Sequence, residues 1–404
     1  MRRNRSTLLA LVAAWTTLAC APPEAKVFSA PPFDPSDESN DTISSVVAAA
    51  AGSPVRGLSN RQMQAFTQGL GVFSTPFTAE NGLGPLFNSN SCAACHDDPT
   101  LGGYGDSVEV HVSAFQQGAA CKTLGETGGP VVQQHSTDAL GGVPEPTPDG
   151  ATGPPGLRTT PVIFGLGLID AIPDQTIKFL ARIRYPDGVH GRAAILPNGR
   201  VGRFGRKAAV ADLLEFNAGA YFNEMGVTNR LNPVEGTFAG TPFAPGVDPA
   251  PDPELPDASL AATDAFVRLL SPVAPVPFTD EARRGRSLFR QIRCTSCHIP
   301  VLLTGRSQNP ALRFRLIRAY TDLLLHDMGP AEADMCNGVA TPSEFRTQPL
   351  MGMQFLDMFM HDGLSETVPE AIQRHGGEAA VIRDRFFSLT PSDQAALVAF
   401  VMSL

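Results

Sequence analysis

The chain has 404 residues with 40 Asp+Glu against 31 Lys+Arg, a formal net charge of −9. That acidic balance argues against nucleic acid as a partner, and the length calls for two or three domains of about 150 residues each. Gly 38 and Pro 36 exceed average usage but stop short of the disordered range, so the composition describes a folded, loop-rich protein.

Taken in order, the chain opens on export signals. Arg2, Arg3 and Arg5 make a basic head, and Leu8 to Leu18 form an apolar stretch too short to span a bilayer. Residues 1–19 read as a signal peptide, and Thr17-Leu18-Ala19-Cys20 has the look of a lipoprotein site with Cys20 as the acylated residue. Ordinary cleavage near the same place is the alternative. Both readings put the mature chain outside the cytoplasm, in the periplasm or its equivalent; the first also anchors it to a membrane through a lipid. Loss of residues 1–19 removes three arginines and no acid, which takes the net charge to about −12. A solvated acidic surface accounts for that charge, and attraction to a basic electron-transfer partner is the sharper alternative.

Residues 20–57 are rich in Pro, Ser and Asp and read as a flexible tether. Ser59 to Phe73 carries Met63, Phe66 and Leu70 at helical spacing. From Gly102 to Gly156 the chain is polar and broken by Gly and Pro, with one strand-like alternation at Val108 to Val112; long loops of this kind are often functional. Arg158 to Ala181 is apolar enough to run through the interior, and Ala209 to Met225 predicts a helix. Residues 241–257 form a Pro-rich linker, which separates an N-terminal domain at 58–240 from a C-terminal one at 258–404. Ser259 to Leu270 predicts a helix. Thr279 caps the next, which brings Gly285 and Phe289 up to the second of two cysteine motifs. The last helix has Thr390 as cap, Pro391 at its first position, Asp393 closing the box, and Leu397, Phe400, Val401 and Leu404 on one stripe.

The chemistry lies in the cysteines. Cys92-Ala93-Ala94-Cys95-His96 and Cys294-Thr295-Ser296-Cys297-His298 both have the CxxCH spacing of a c-type haem site. Two cysteines at that spacing can form thioethers to the haem vinyl groups, and the adjacent histidine then falls under the iron. Zinc is the rival, but a zinc ribbon needs its two pairs about 15 to 20 residues apart. Here they lie in opposite halves of the chain, each with its own histidine. The reading is two covalently bound haem c groups, with His96 and His298 as proximal ligands. Cys121 and Cys336 remain, either joined in a disulfide or as two separate thiols; the sequence leaves both open.

Several stretches together resemble the di-haem thiol-oxidoreductase-like family of peroxidases, related to the bacterial di-haem cytochrome c peroxidases. They are Gly82 to Asn88, Phe164 to Pro173, Gly202 to Lys207, Tyr320 to Pro330, Met360 to Gly363 and His375 to Ala379. The likeness runs from about residue 60 to the C-terminus. It implies a mainly α-helical fold with long loops and two cytochrome-c-like haem domains. In that family a histidine opens a turn and an axial ligand follows fourteen residues later; His361 and His375 stand at this spacing, with histidine where the peroxidases usually carry methionine. The resemblance therefore implies His298/His375 ligation of the second haem, with His361 as a hydrogen-bonding neighbour.

The first haem is then the reactive one, and His111, Glu109, His135 and His326 are candidates for its distal acid–base chemistry. For each taken singly, a structural side chain is the simpler account. His326 is also expected near the haem interface, and Met328 is an alternative ligand. The relay tryptophan of the peroxidases has no counterpart, because Trp15 leaves with the signal peptide. The expectation is an oxidoreductase with electron relay at the second haem, peroxide or another small oxidant at the first, and a periplasmic electron donor or acceptor as partner. The competing classes are a plain electron carrier, a haem oxygenase acting on an organic substrate, and an enzyme that matures a partner protein by long-range oxidation.

Overall fold

The computed structural model describes residues 47–404, which fall in one contact unit. The signal peptide, Cys20 and residues 20–46 of the expected tether lie outside the described residues.

Ser59 starts the first helix, α1 (Asn60–Phe73), by a reciprocal cap: its hydroxyl accepts from the Gln62 amide, and the Gln62 side chain accepts from the Ser59 amide. The buried face is Phe66, Gly69 and Phe73, whereas Met63 is 42% exposed. Further along come two short helices, α2 (Leu166–Asp170) and α3 (Asp174–Leu180), then α4 (Leu213–Met225) and α5 (Asp257–Leu269). α4 begins later than the sequence predicts. Ala208 takes a positive φ of 50°, and the Asp212 carboxylate accepts from the Leu214 amide to set the true start.

α5 packs on α1, with Phe266 4.9 Å from Phe73 and 5.1 Å from Phe66 between ring centroids. A Cβ at Gly69 would lie 2.0 Å from the Ala262 carbonyl oxygen, so the two backbones touch at that glycine. The Pro-rich 241–257 stretch therefore does not divide the two halves as expected: the helix that follows it belongs with the N-terminal elements. The handover comes at Pro275, where the Ala274 amide donates to Ala49 and the Val276 amide to Ser403. The end of the expected tether is also part of the core. Val55 is 2% exposed and its amide donates to the Leu269 carbonyl.

The second half repeats the device. α6 (Asp280–Gln291), capped by Thr279, crosses the C-terminal helix, and short helices α7 (Val368–Gln373) and α8 (Ala380–Phe387) lie between them in sequence. The C-terminal helix is α9 (Pro391–Val401), capped by Thr390. At the crossing a Cβ on Gly285 would meet the Ala396 carbonyl oxygen at 1.8 Å, and Phe289 stacks edge-on to Phe400 at 5.4 Å. These nine α-helices are joined by long loops and by small antiparallel sheets among the described residues. The largest sheet has three strands, with Gly105–His111 between Val131–Val132 and Gly156–Thr160. Cys121 and Cys336 are disulfide-bonded with their Cα atoms 5.8 Å apart, which ties the long loop before this sheet's last strand to the C-terminal half. Among the described residues no helix is long and apolar enough to cross a membrane.

Candidate haem sites

Each helix pair stands beside one CxxCH turn. At the first, the Ser91 hydroxyl accepts from the Ala94 amide and starts a 3-10 turn at Cys92–Ala94. The His96 amide donates to the Cys92 carbonyl, which folds the imidazole back over the turn. Its Nδ1 lies 3.0 Å from the Gly103 carbonyl oxygen. A carbonyl can only accept, so Nδ1 carries the proton and Nε2 keeps its lone pair, the orientation found for metal-ligating histidines. Burial lowers the pKa of His96 and keeps it neutral. Burial also pushes the Cys92 thiol up to about 12, an environment that suits an uncharged thioether.

The second turn, Cys294–Ser296, is built alike, with the His298 amide on the Cys294 carbonyl and Nδ1 2.9 Å from the Tyr320 carbonyl oxygen. Burial pushes His298 down to about 4 and the Cys294 thiol up to about 12. Here a second imidazole joins it. Thr367 and Glu370 cap α7 reciprocally, and the helix ends two residues before His375, whose Nδ1 lies 2.7 Å from the Ala371 carbonyl oxygen. His298, His375, Cys294 and Cys297 all line one large cavity whose walls are mainly apolar, among them Met353, Leu356, Phe386 and Leu397. Two thiols, two imidazoles with free Nε2 atoms and an apolar slot fit a haem.

The other predicted residues separate. His326 does not serve the first motif: its Nδ1 is 3.7 Å from the sulfur of Cys297, in the second. Both of its nitrogens are taken, Nε2 by Asp322 at 2.9 Å and Nδ1 by Glu378 at 3.0 Å, so it has no lone pair for iron or substrate. Burial opposes its protonation, but Cys297 and Asp322 outweigh it and hold the pKa well above normal. His326 thus lines the cavity of the second motif, with its nitrogens directed at carboxylates. His361 lines the same cavity, stacks on Phe345 at 4.3 Å and points Nε2 at Asp334, 3.4 Å away. His135 is exposed, beside Phe87. Met328 lines the cavity wall.

Glu109 and His111 do come together, Oε2 to Nε2 at 2.9 Å. They share a strand whose first residue, Gly105, abuts Cys95: a Cβ there would lie 2.0 Å from the Cys95 carbonyl oxygen. Glu109 is roughly 13 Å further along at about 3.3 Å per residue. Burial pushes Glu109 up to about 7 and His111 down to about 4, so the pair is a protonatable acid beside a neutral base. Glu224, which the sequence reading missed, adds a second carboxyl with a raised pKa, driven first by burial and then by Glu109. It accepts from Asn88, and only its place near the end of α4 marks it in the sequence.

The two sites share a wall. Tyr104, Gly105, Pro161 and Val162 line the second cavity, while the neighbouring Gly103 carbonyl orients His96. The residue that orients His96 is thus joined by a single peptide bond to a wall residue of the second cavity.

Paired helices, two CxxCH turns and a cavity lined by two imidazoles define a di-haem oxidoreductase. The chain belongs to the family described as "Di-haem oxidoreductase, putative peroxidase", whose sequence pattern matches residues 154–404, and it is accordingly an enzyme of peroxidase-like type that carries two haems. No curated protein matches it. Among solved structures it is similar to the diheme peroxidase BthA from Burkholderia thailandensis, at 19% identity over 84% of this chain and 86% of that one, with a TM-score of 0.41. A MauG-like protein associated with microbial copper homeostasis matches at 16% identity over 90% and 94% of the two chains, TM-score 0.39. Hydrazine synthase from Kuenenia stuttgartiensis matches at 14% identity over 88% and 95%, TM-score 0.37.

Proposed function

We propose that the chain holds one haem at each CxxCH turn, through thioethers to Cys92 and Cys95 and to Cys294 and Cys297. His96 and His298 are the proximal ligands, and His375 is the sixth ligand of the second haem. The observation that carries this reading is the pair His298 and His375, each with Nδ1 on a backbone carbonyl and both on one cavity. Imidazole on both faces closes that iron to substrate and sets a lower potential than methionine would, which suits storage and relay of electrons. Each haem has its own cytochrome-c-like helix pair, α1 with α5 and α6 with α9.

The first haem is the reactive one, open to peroxide or another small oxidant. The haem iron supplies the electron exchange with that oxidant. The protein supplies orientation and protons: Gly103 fixes His96, Glu109 is held protonated to near neutral pH, and His111 is the neutral acceptor bonded to it. Glu109 and His111 are the acid–base pair of this reading, and His326 has no part in it. The enzyme works in the periplasm after loss of residues 1–19, held to a membrane through a lipid on Cys20, and exchanges electrons with a periplasmic donor or acceptor.

EPR of the oxidised, haem-loaded protein tests the assignment. One low-spin bis-imidazole signal and one high-spin signal that changes with cyanide or peroxide are expected. Two low-spin signals indifferent to both would make the protein an electron carrier instead.

A further inference from the structure

Two cations, Arg206 and Arg346, line the second cavity without a salt-bridge partner among the described residues; the nearest carboxylates, Glu109 and Asp362 for Arg206 and Asp322 for Arg346, act on them only at a distance. The guanidinium of Arg346 donates to the Gly205 carbonyl, the Thr347 carbonyl and the Gln348 side-chain oxygen, at 3.0, 3.1 and 2.8 Å. That of Arg206 donates to the carbonyl and hydroxyl oxygens of Thr159, at 3.2 and 3.4 Å. Every one of these partners is neutral. The arginines around them are different: Arg158 pairs with Asp334, Arg192 with Glu344, Arg383 with Asp384, and Arg374 with both Glu332 and Asp362.

The two are also fixed to each other. The Arg346 amide donates to the Arg206 carbonyl at 2.8 Å, and the Arg346 side chain reaches the adjoining Gly205. Burial pulls both guanidinium pKa values down, to about 10 for Arg206, where Arg158 adds to it, and to about 9 for Arg346, where Arg206 does; Glu109 and Asp362 on the one side and Asp322 on the other only partly offset this. Two like charges held together away from water raise the free energy of the fold unless an anion joins them. Lysine would not substitute well, since a guanidinium presents a flat fork that matches a carboxylate with two parallel hydrogen bonds.

We infer that Arg206 and Arg346 seat the two propionate carboxylates of the second haem, a role that rests on the reading that a haem fills the cavity between His298 and His375. The charges balance, two guanidiniums against two carboxylates, and most of the remaining cavity wall is apolar, as a porphyrin ring requires. Two consequences follow. The carboxylates stay ionised through the acid range, and the local positive charge favours the ferrous state.

The test uses the full, haem-loaded chain with Arg206→Gln, Arg346→Gln and, as a control, the exposed Arg283→Gln. Potentials of the two haems are titrated spectroelectrochemically across pH. Both cavity variants should lower the potential of the second haem and give it a pH dependence in the carboxylate range, and the control should match the wild type. Arg346→Lys should recover part of the potential. Unmodified protein gives a check that needs no variant: its second-haem potential should be flat with pH between about 5 and 8. A wild-type potential that titrates in that range, or glutamine variants that keep both haems with an unchanged potential and profile, would overturn the assignment while the haem reading stands. A wild-type chain without two haems by pyridine haemochrome takes down both.

Discussion

His298 and His375 turn the same ring nitrogen to the backbone, Nδ1 to the Tyr320 carbonyl at 2.9 Å and Nδ1 to the Ala371 carbonyl at 2.7 Å, and both line one cavity. The bond settles the tautomer of each ring and leaves the Nε2 lone pair available to a metal. If these two rings share one iron, His375→Ala should convert the second haem from low-spin to high-spin. His375→Met should keep it low-spin and raise its potential. EPR and a redox titration read both effects. A low-spin spectrum that survives His375→Ala unchanged would remove His375 from the coordination sphere.

The contact between α1 and α5 gives a paired test on one helix. Gly69 faces Ala262, whose carbonyl oxygen would lie 2.0 Å from an added Cβ, while Gly71 two residues on has nothing within 4 Å. Gly69→Ala should force the helices apart and destabilise the protein by about 1–3 kcal/mol. Gly71→Ala should stabilise it by about 0.5–1 kcal/mol, through loss of unfolded-state entropy alone. Urea unfolding of the two variants should move in opposite directions. Equal shifts would mean that the helix crossing lies elsewhere.

What could be read in advance was local in sequence. The two CxxCH turns, the caps at Ser59, Thr279 and Thr390, and the close contact at Gly285 depend on residues within a few positions of each other. His375 needed the family spacing, because a histidine two residues beyond a short helix carries no signal of its own. The misplaced boundary at 241–257 shows the limit: proline and glycine mark a loop but not which core the next helix joins, and Phe266 chose α1. The surroundings of His326 show the same limit. Its two carboxylate partners come from Asp322, four residues before it, and Glu378, fifty-two after it, and only the fold brings the second into reach. Arg206 and Arg346 were silent because an unpaired charge is defined by what is missing around it.

The carboxyl of Glu109 gives a pH signature with a definite sign. Burial raises its folded-state pKa to about 7, against an unfolded value of about 4.3. The folded protein therefore binds more protons in that interval, and the contribution of Glu109 to stability is full below about pH 4.3 and lost as pH rises through about 7. His111 acts in the opposite sense. Burial depresses it to about 4, so its contribution is present above about pH 6.5 and fades as pH falls toward 4. Glu109→Gln removes the first dependence and keeps the second. The wild-type stability minus that of the variant should fall between about pH 4.5 and 7, measured by urea unfolding at several pH values. A difference that is flat across this window would place the Glu109 carboxyl in water.

The disulfide between Cys121 and Cys336 closes a loop of 215 residues and joins segments from opposite halves of the chain. Its C-terminal end is buried: Cys336 is fully enclosed, and its amide donates to the hydroxyl of Ser113, which is 1% exposed. Its main physical effect is thus on the unfolded chain, whose entropy it restricts, and a bond of this kind stabilises by about 2–4 kcal/mol. Neither cysteine takes part in the cavity or the CxxCH turns. Cys121→Ser with Cys336→Ser should lower the unfolding free energy measured in urea by that amount and leave the two haem spectra and potentials as they are. Mild reductant should do the same to the wild type and nothing to the double variant, which has no other disulfide among its described residues. A change in the EPR signals of the double variant would mean that the bond also shapes a haem site, and an unchanged unfolding free energy would mean that the two loops hold together without it.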